Sequence, residues 1–234
     1  MTPAAPFDAV IFDCDGVLVD SETLALEIEL EELAALGLHY EQGAFCARFM
    51  GMNNKDFYAA LDADRRERVG EPLPTSFAET HRERMFAACR ERLVEVAGAA
   101  RAAQACAPKK AVASSSGSKL LRVKLEATGL WEVFAPHVYG GDMVSRGKPA
   151  PDIFLLAAEG LGVAPERCLV LEDTENGVRA ARAAGMTVWA FTGGGHTGAH
   201  DHDRLIAAGA ERAFGHWDEL HQLFEGWRAP SAAA

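Results

Sequence analysis

Two aspartates one residue apart, Asp13 and Asp15, close an apolar run in "AVIFDCDGVLVDSE", residues 9–22. On an extended segment, side chains two apart leave the same face. Both carboxylates therefore point one way and Cys14 packs the other. Like charges held together repel unless a cation lies between them. A second acidic pair, Glu172 and Asp173, closes another apolar run, "CLVLED". Oxygen donors without His or Cys suit a hard divalent cation, magnesium before zinc. Singly, each pair reads first as surface turn acids or a helix cap. Two pairs at one sheet edge would make a metal-assisted site.

Two further segments carry candidate chemistry. Ser114 begins "SSSGS", whose hydroxyls and N–H groups precede a helical pattern, and a helix N-terminus favours an anion. Lys148 lies in "GKPAPD", stiffened by Pro149 and Pro151. An ammonium there could offset both an acid cluster and a bound phosphate. Taken alone, each is an ordinary serine turn and an ordinary surface lysine. The segment "GGGHTGAHDHD" concentrates His196, His200 and His202 with Asp201 and Asp203. Its glycines and irregular spacing read as a solvated loop rather than a transition-metal site.

The elements that must position these groups are short. Apolar runs at 9–12, 110–113, 137–139, 168–171 and 187–191 read as buried parallel strands. Helical patterns at 119–128, 151–161 and 175–184 follow the second, third and fourth. The alternation predicts an α/β fold: a Rossmann-like parallel sheet core with right-handed crossovers. In such sheets ligands bind beyond the carboxyl ends of the strands. Asp13, Ser114, Asp142, Glu172 with Asp173, and Thr192 all fall on that edge. Between the first two strands lie roughly 95 residues, where a dozen or so would suffice for a crossover. The patterns "SETLALEIELEELAALG", "NNKDFYAALDADRRERV" and "SFAETHRERMFAACRERLVEV" make this a helical subdomain. The predicted division is a core of residues 1–19 and 93–234 with a helical cap over 20–92.

Composition narrows the partners. The chain has 234 residues, 49% of them apolar, and a formal charge of −11. That acidity argues against nucleic acid or an anionic membrane as partner. No run is long enough to cross a bilayer, and the N-terminus lacks the pattern of a secretory signal. Five scattered cysteines read as reduced thiols of a cytoplasmic protein. A monomer is the expected state.

In order and spacing, "DCDGVLVD", "VASSSG", "GKPAPD" and "LEDTENGVRAARAAGM" resemble the haloacid dehalogenase superfamily of phosphohydrolases. The resemblance extends to the helical-cap subfamily that contains β-phosphoglucomutase, phosphoglycolate phosphatase and sugar-phosphate phosphatases. It implies Asp13 as nucleophile, forming an aspartyl-phosphate. It implies Asp15 as general acid, then as base toward water. Mg²⁺ would be held by Asp13, Asp15 (through its main-chain carbonyl), Glu172 and Asp173. Lys148 would screen charge and Ser114 would bond a phosphoryl oxygen. Gly16, Ser115 and Ser116 would contact the phosphate. In the cap, Arg48, Asn53, Asn54 and Lys55 read first as a solvated helix start. Asn53 and Lys55 are the candidates for substrate contact.

The mutase branch of this subfamily carries a His about ten residues after the second aspartate. Here that position is Ala25, which favours hydrolysis. The expected function is a Mg-dependent phosphatase of a small phosphorylated metabolite, a sugar or sugar-acid phosphate. The alternatives are a phosphosugar mutase and a non-catalytic phosphometabolite-binding protein.

Overall fold

A computed structural model describes residues 7–49, 52, 54–106, 109–195, 201–220 and 222–223. By packing the chain divides into two units: Met1–Ser21 with Leu93–Ala234, and Glu22–Arg92.

The first unit is built on six parallel strands in the order β3-β2-β1-β4-β5-β6. They are β1 (Ala9–Phe12), β2 (Lys109–Ser114), β3 (Val138–Gly140), β4 (Cys168–Glu172), β5 (Thr187–Phe191) and β6 (Arg212–Phe214). β1 is central: Phe12 lies opposite Val112 of β2 and Leu171 of β4. The chain reverses strand order on either side of β1, which makes the carboxyl end of β1 the topological switch point.

Strand periodicity splits the core into two layers. Ile11, Ala111, Ala113, Val170, Val188 and Ala190 face one way. They meet α8 (Asp152–Leu161) and α9 (Glu175–Ala183) through Ile153, Phe154, Ala157, Val178 and Ala181. The alternate residues Phe12 and Phe191 turn to the other face. There Phe12 meets Phe134 at 5.3 Å, and Phe191 stacks on Trp217 at 4.6 Å.

The second unit holds α1 (Ser21–Ala35, whose first residue belongs to the core unit), α2 (Gln42–Phe49), α3 (Asn54–Arg68) and α4 (Phe77–Arg92). Its centre is Leu33, Leu38, Phe45, Phe49, Leu61 and Phe77. Asp64 is buried there and accepts hydrogen bonds from Tyr40 Oη at 2.5 Å and from Arg48. Among the described residues, no helix is long and apolar enough to cross a membrane.

Several elements depart from the sequence reading. β2 and β3 extend one residue further toward their carboxyl ends, to Ser114 and Gly140. α2, α5 (Ala99–Ala105), the single turn α7 (Trp131–Phe134), α10 (Asp201–Ala208) and β6 carried no clear periodic signal. They are too short for one, and β6 is an edge strand of three residues. The pattern at 76–96 ends as a helix at Arg92. Beyond it, Val94 O accepts from Asp20 N and Val96 N donates to Leu18 O, in the segment that leaves β1. The histidine-rich segment is corrected in part. Asp201, His202 and Asp203 open helix α10, with His202 and Asp203 exposed. His196 and His200 lie outside the described residues.

Candidate active site

The geometry begins at Asp13, one residue past β1. Its main-chain N–H donates to Leu171 O of β4 at 2.9 Å, which carries the sheet's pairing to the edge. Gly16 then turns the chain with φ of 73°, a conformation that favours glycine. The Gly16 N–H donates to Val19 O, and the N–H groups of Leu18 and Val19 converge on Cys14 O. The turn forms as expected, but the Gly16 amide is spent on closing it rather than offered to a phosphate. Cys14 is fully buried and burial pushes its thiol well up, so it is inert.

Lys148 bridges two carboxylates. Its Nζ donates to Asp13 Oδ1 and to Glu172 Oε1, each at 2.6 Å. Only 5% of the lysine side chain is exposed, and its ammonium lies 4.8 Å from the Phe154 ring centre. Burial by itself would lower the lysine pKa. Asp13 and Glu172 outweigh it and hold the ammonium charged. Burial pushes the Asp13 carboxyl well above the usual range. Lys148 opposes that push, and Glu172, Asp173 and Asp15 add to it.

Glu172, the second partner of Lys148, closes β4. Its Oε2 accepts from Asp173 N at 2.8 Å, Thr174 N at 2.8 Å and Thr174 Oγ1 at 3.0 Å, while Oε1 holds Lys148. Both oxygens are engaged. Thr174 also caps α9, accepting from Gly177 N at 3.1 Å.

Asp15 faces a different group. Its Oδ1 accepts from Ser21 Oγ and Lys124 Nζ, and its Oδ2 from Ser116 Oγ at 2.8 Å and Ser114 Oγ at 3.3 Å. Burial would raise its pKa. The Lys124 charge and hydrogen bonds from Lys124, Ser21 and Ser116 outweigh burial and bring it down to about 2. These donors hold Asp15 as a carboxylate. Ser114 and Ser116, expected at the phosphate, turn their hydroxyls to Asp15 instead, and Ser114 Oγ accepts from Ser116 N at 3.0 Å. Ser115 is exposed. The N-terminus of α6 (Ser118–Ala127) is occupied by a carboxylate of the chain itself, because Asp142 accepts from Ser118 N at 2.9 Å and from Ser118 Oγ.

Lys124 was missed in the sequence. It lies on α6 between buried Leu121 and Leu125, and it is itself buried. Helical side chains lean toward the N-terminus, so the long stem carries Nζ back to the carboxyl end of β2. A lysine on the apolar face of "SKLLRVKLEA" was the available signal.

In the cap, Lys55 is exposed in the first turn of α3. Arg48 is committed to Asp64. Asn53 lies outside the described residues.

Four carboxylates at this edge thus face two ammoniums. One divalent cation balances the deficit, and the donors are hard oxygens. The four carboxylates do not make a cage, however. Among the described residues no three His, Cys, Asp or Glu side chains converge on a common metal position. Magnesium needs no such cage, since one or two carboxylates with water and substrate phosphate suffice.

A family profile described as haloacid dehalogenase-like hydrolase matches residues 7–185. The chain belongs to that family. Among haloacid dehalogenase-like relatives, a "Phosphorylated carbohydrates phosphatase" of Thermotoga maritima is 33% identical over 188 residues, covering 76% of this chain and 82% of the relative. The solved structure of a haloacid dehalogenase-like protein of unknown function from Agrobacterium tumefaciens superposes with TM-score 0.81 at 35% identity, covering 94% of this chain and 98% of that one. A family hydrolase from Deinococcus radiodurans, solved with bound phosphate and sodium, gives TM-score 0.79 at 34% identity over 97% of this chain and 100% of its own. Membership makes the chain a hydrolase.

Proposed function

We propose that this hydrolase is a magnesium-dependent phosphatase of small phosphomonoesters, a sugar or sugar-acid phosphate, acting through an aspartyl-phosphate on Asp13. The observation that carries the reading is the pairing at the sheet edge. Asp13 is held by Lys148, and Asp15, two residues on, is held separately by Lys124. Nucleophile and base are thereby kept as two distinct groups.

An Asp13 oxygen attacks phosphorus, and the bond from phosphorus to the leaving oxygen breaks. That oxygen keeps the electron pair and takes the proton that Asp15 delivers as general acid, and the alcohol departs. Water then attacks the phosphorus of the mixed anhydride while Asp15 accepts its proton. The bond to Asp13 breaks, leaving inorganic phosphate and a free carboxylate. Lys148 screens the repulsion between Asp13 and the phosphoryl dianion. Asp13 and Asp173, with the main-chain carbonyl of Asp15, would hold Mg²⁺. Bound there, the ion supplies charge neutralisation to the phosphoryl oxygens. The helical unit 22–92, with Asn53 and Lys55 as candidates, would read the leaving group.

The test is phosphate release from a panel of phosphorylated metabolites with Mg²⁺, including β-glucose 1-phosphate, 6-phosphogluconate and phosphoglycolate. Steady release from sugar or sugar-acid phosphates supports the reading. No release, with conversion of β-glucose 1-phosphate to glucose 6-phosphate in the presence of a bisphosphate, overturns it in favour of a mutase.

A further inference from the structure

A second lysine at the sheet edge has no place in the four sequence motifs. Lys124 Nζ reaches Asp15 Oδ1 and, at 3.0 Å, Ser116 Oγ. Ser116 Oγ in turn reaches Asp15 Oδ2 at 2.8 Å. Lysine, serine and aspartate therefore close a triangle in which each group touches the other two. Ser21 Oγ adds a further bond to Oδ1. Every member belongs to the core unit. Burying a lysine ammonium is strongly unfavourable unless the charge is paired. A methionine or leucine would fill a helix-core position without that cost. The charge at position 124 is therefore explained by its partner and not by packing.

We propose that Lys124 is a positioning residue for the hydrolytic half of the reaction. It fixes the Asp15 carboxylate in the rotamer that receives the proton of the attacking water. The proposal rests on the phosphatase reading above. The consequence is specific to one step. A leaving group that needs no proton departs from phosphorus, leaving the phosphoryl group on Asp13, whether or not Asp15 is held. The attack of water on the aspartyl-phosphate still needs a placed base. Loss of Lys124 therefore slows release of phosphate from Asp13 more than its formation.

The test uses the full chain, Mg²⁺ and 4-nitrophenyl phosphate, whose phenolate leaves unprotonated. Rapid-mix traces of wild type and Lys124→Met are compared, alongside thermal melts. Lys124→Met is expected to show a burst of about one equivalent of nitrophenol, then a steady rate about a hundredfold below wild type, the scale of a displaced base. Its KM should fall with kcat, because the phospho-enzyme accumulates. A folded Lys124→Met with a steady rate within threefold of wild type overturns the proposal. So does a slow variant without a burst, because the first step is then equally impaired. Ser21→Ala and Ser116→Ala carry the same test if Lys124→Met does not fold. Each is expected to give a burst and a steady rate about tenfold down, and their absence in both overturns the proposal. Failure of the phosphatase reading looks different: wild type itself releases no nitrophenol, or Asp13→Asn still does.

Discussion

Gly177→Ala sets two scales of structure against each other. Gly177 lies in the first turn of α9, without a positive φ. Helix propensity alone makes alanine there more stable by up to about 1 kcal/mol. The tertiary structure reverses the sign. A Cβ at 177 would lie 1.7 Å from Glu172 Oε1, 1.9 Å from its carboxyl carbon and 2.5 Å from Oε2. Glu172 is 1% exposed, so its carboxylate has no solvent to retreat into. Moving it breaks the 2.6 Å pair with Lys148 and the bonds from the Asp173 and Thr174 amides. Breaking a buried ion pair costs about 3–5 kcal/mol. Offset by the helix gain, the net loss should be about 2–4 kcal/mol. Urea unfolding at constant m measures it, with phosphate release falling in parallel as Lys148 loses a partner. Gly43→Ala in α2 is the control: nothing lies within 4 Å of its Cβ, and it should gain up to about 1 kcal/mol. If Gly177→Ala matched or exceeded wild type while Gly43→Ala was stabilised, the packing argument would fail.

Asp13→Asn should abolish phosphate release without lowering the melting temperature, because Lys148 keeps Glu172 and a charge penalised by burial is removed; residual turnover above a hundredth of wild type would refute the nucleophile assignment. EDTA should silence the enzyme and added Mg²⁺ restore it, whereas chelator-insensitive turnover would refute the metal reading. In the helical unit, burial together with Glu22 and Glu32 raises Glu29 from 4.5 to about 7. Below pH 4.5 the folded and unfolded chains both hold its proton. Between 4.5 and 7 only the folded chain does, so stability falls as pH rises, by a total of about 3 kcal/mol. Glu29→Gln should remove most of that slope and leave the variant more stable at pH 8. An unchanged difference between pH 5 and pH 8 would contradict it.

The central strands and the polar edge were legible because a buried parallel strand needs an unbroken apolar run, and its end shows as the first charged residue. Ala9–Phe12 before Asp13 and Cys168–Leu171 before Glu172 are of this kind. Runs of three residues, such as β6, cannot show a period at all. Residue type alone could not divide labour among the acids. The type of Glu172 does not show that its oxygens hold Lys148 and two main-chain amides. Nor does the type of Asp15 show that it gathers four donors.

The amino-acid sequence by itself determined the order of strands and helices, the inserted helical segment, and the acids and serines that the parallel sheet gathers along one edge. Such features depend on local periodicity and on which residues end a strand. Tertiary structure alone decided which cation meets which anion. Lys124 finds Asp15 across 109 positions and Lys148 finds Asp13 across 135. Electrostatic partnership depends on separation in space and on exclusion of water, and distance along the chain carries neither.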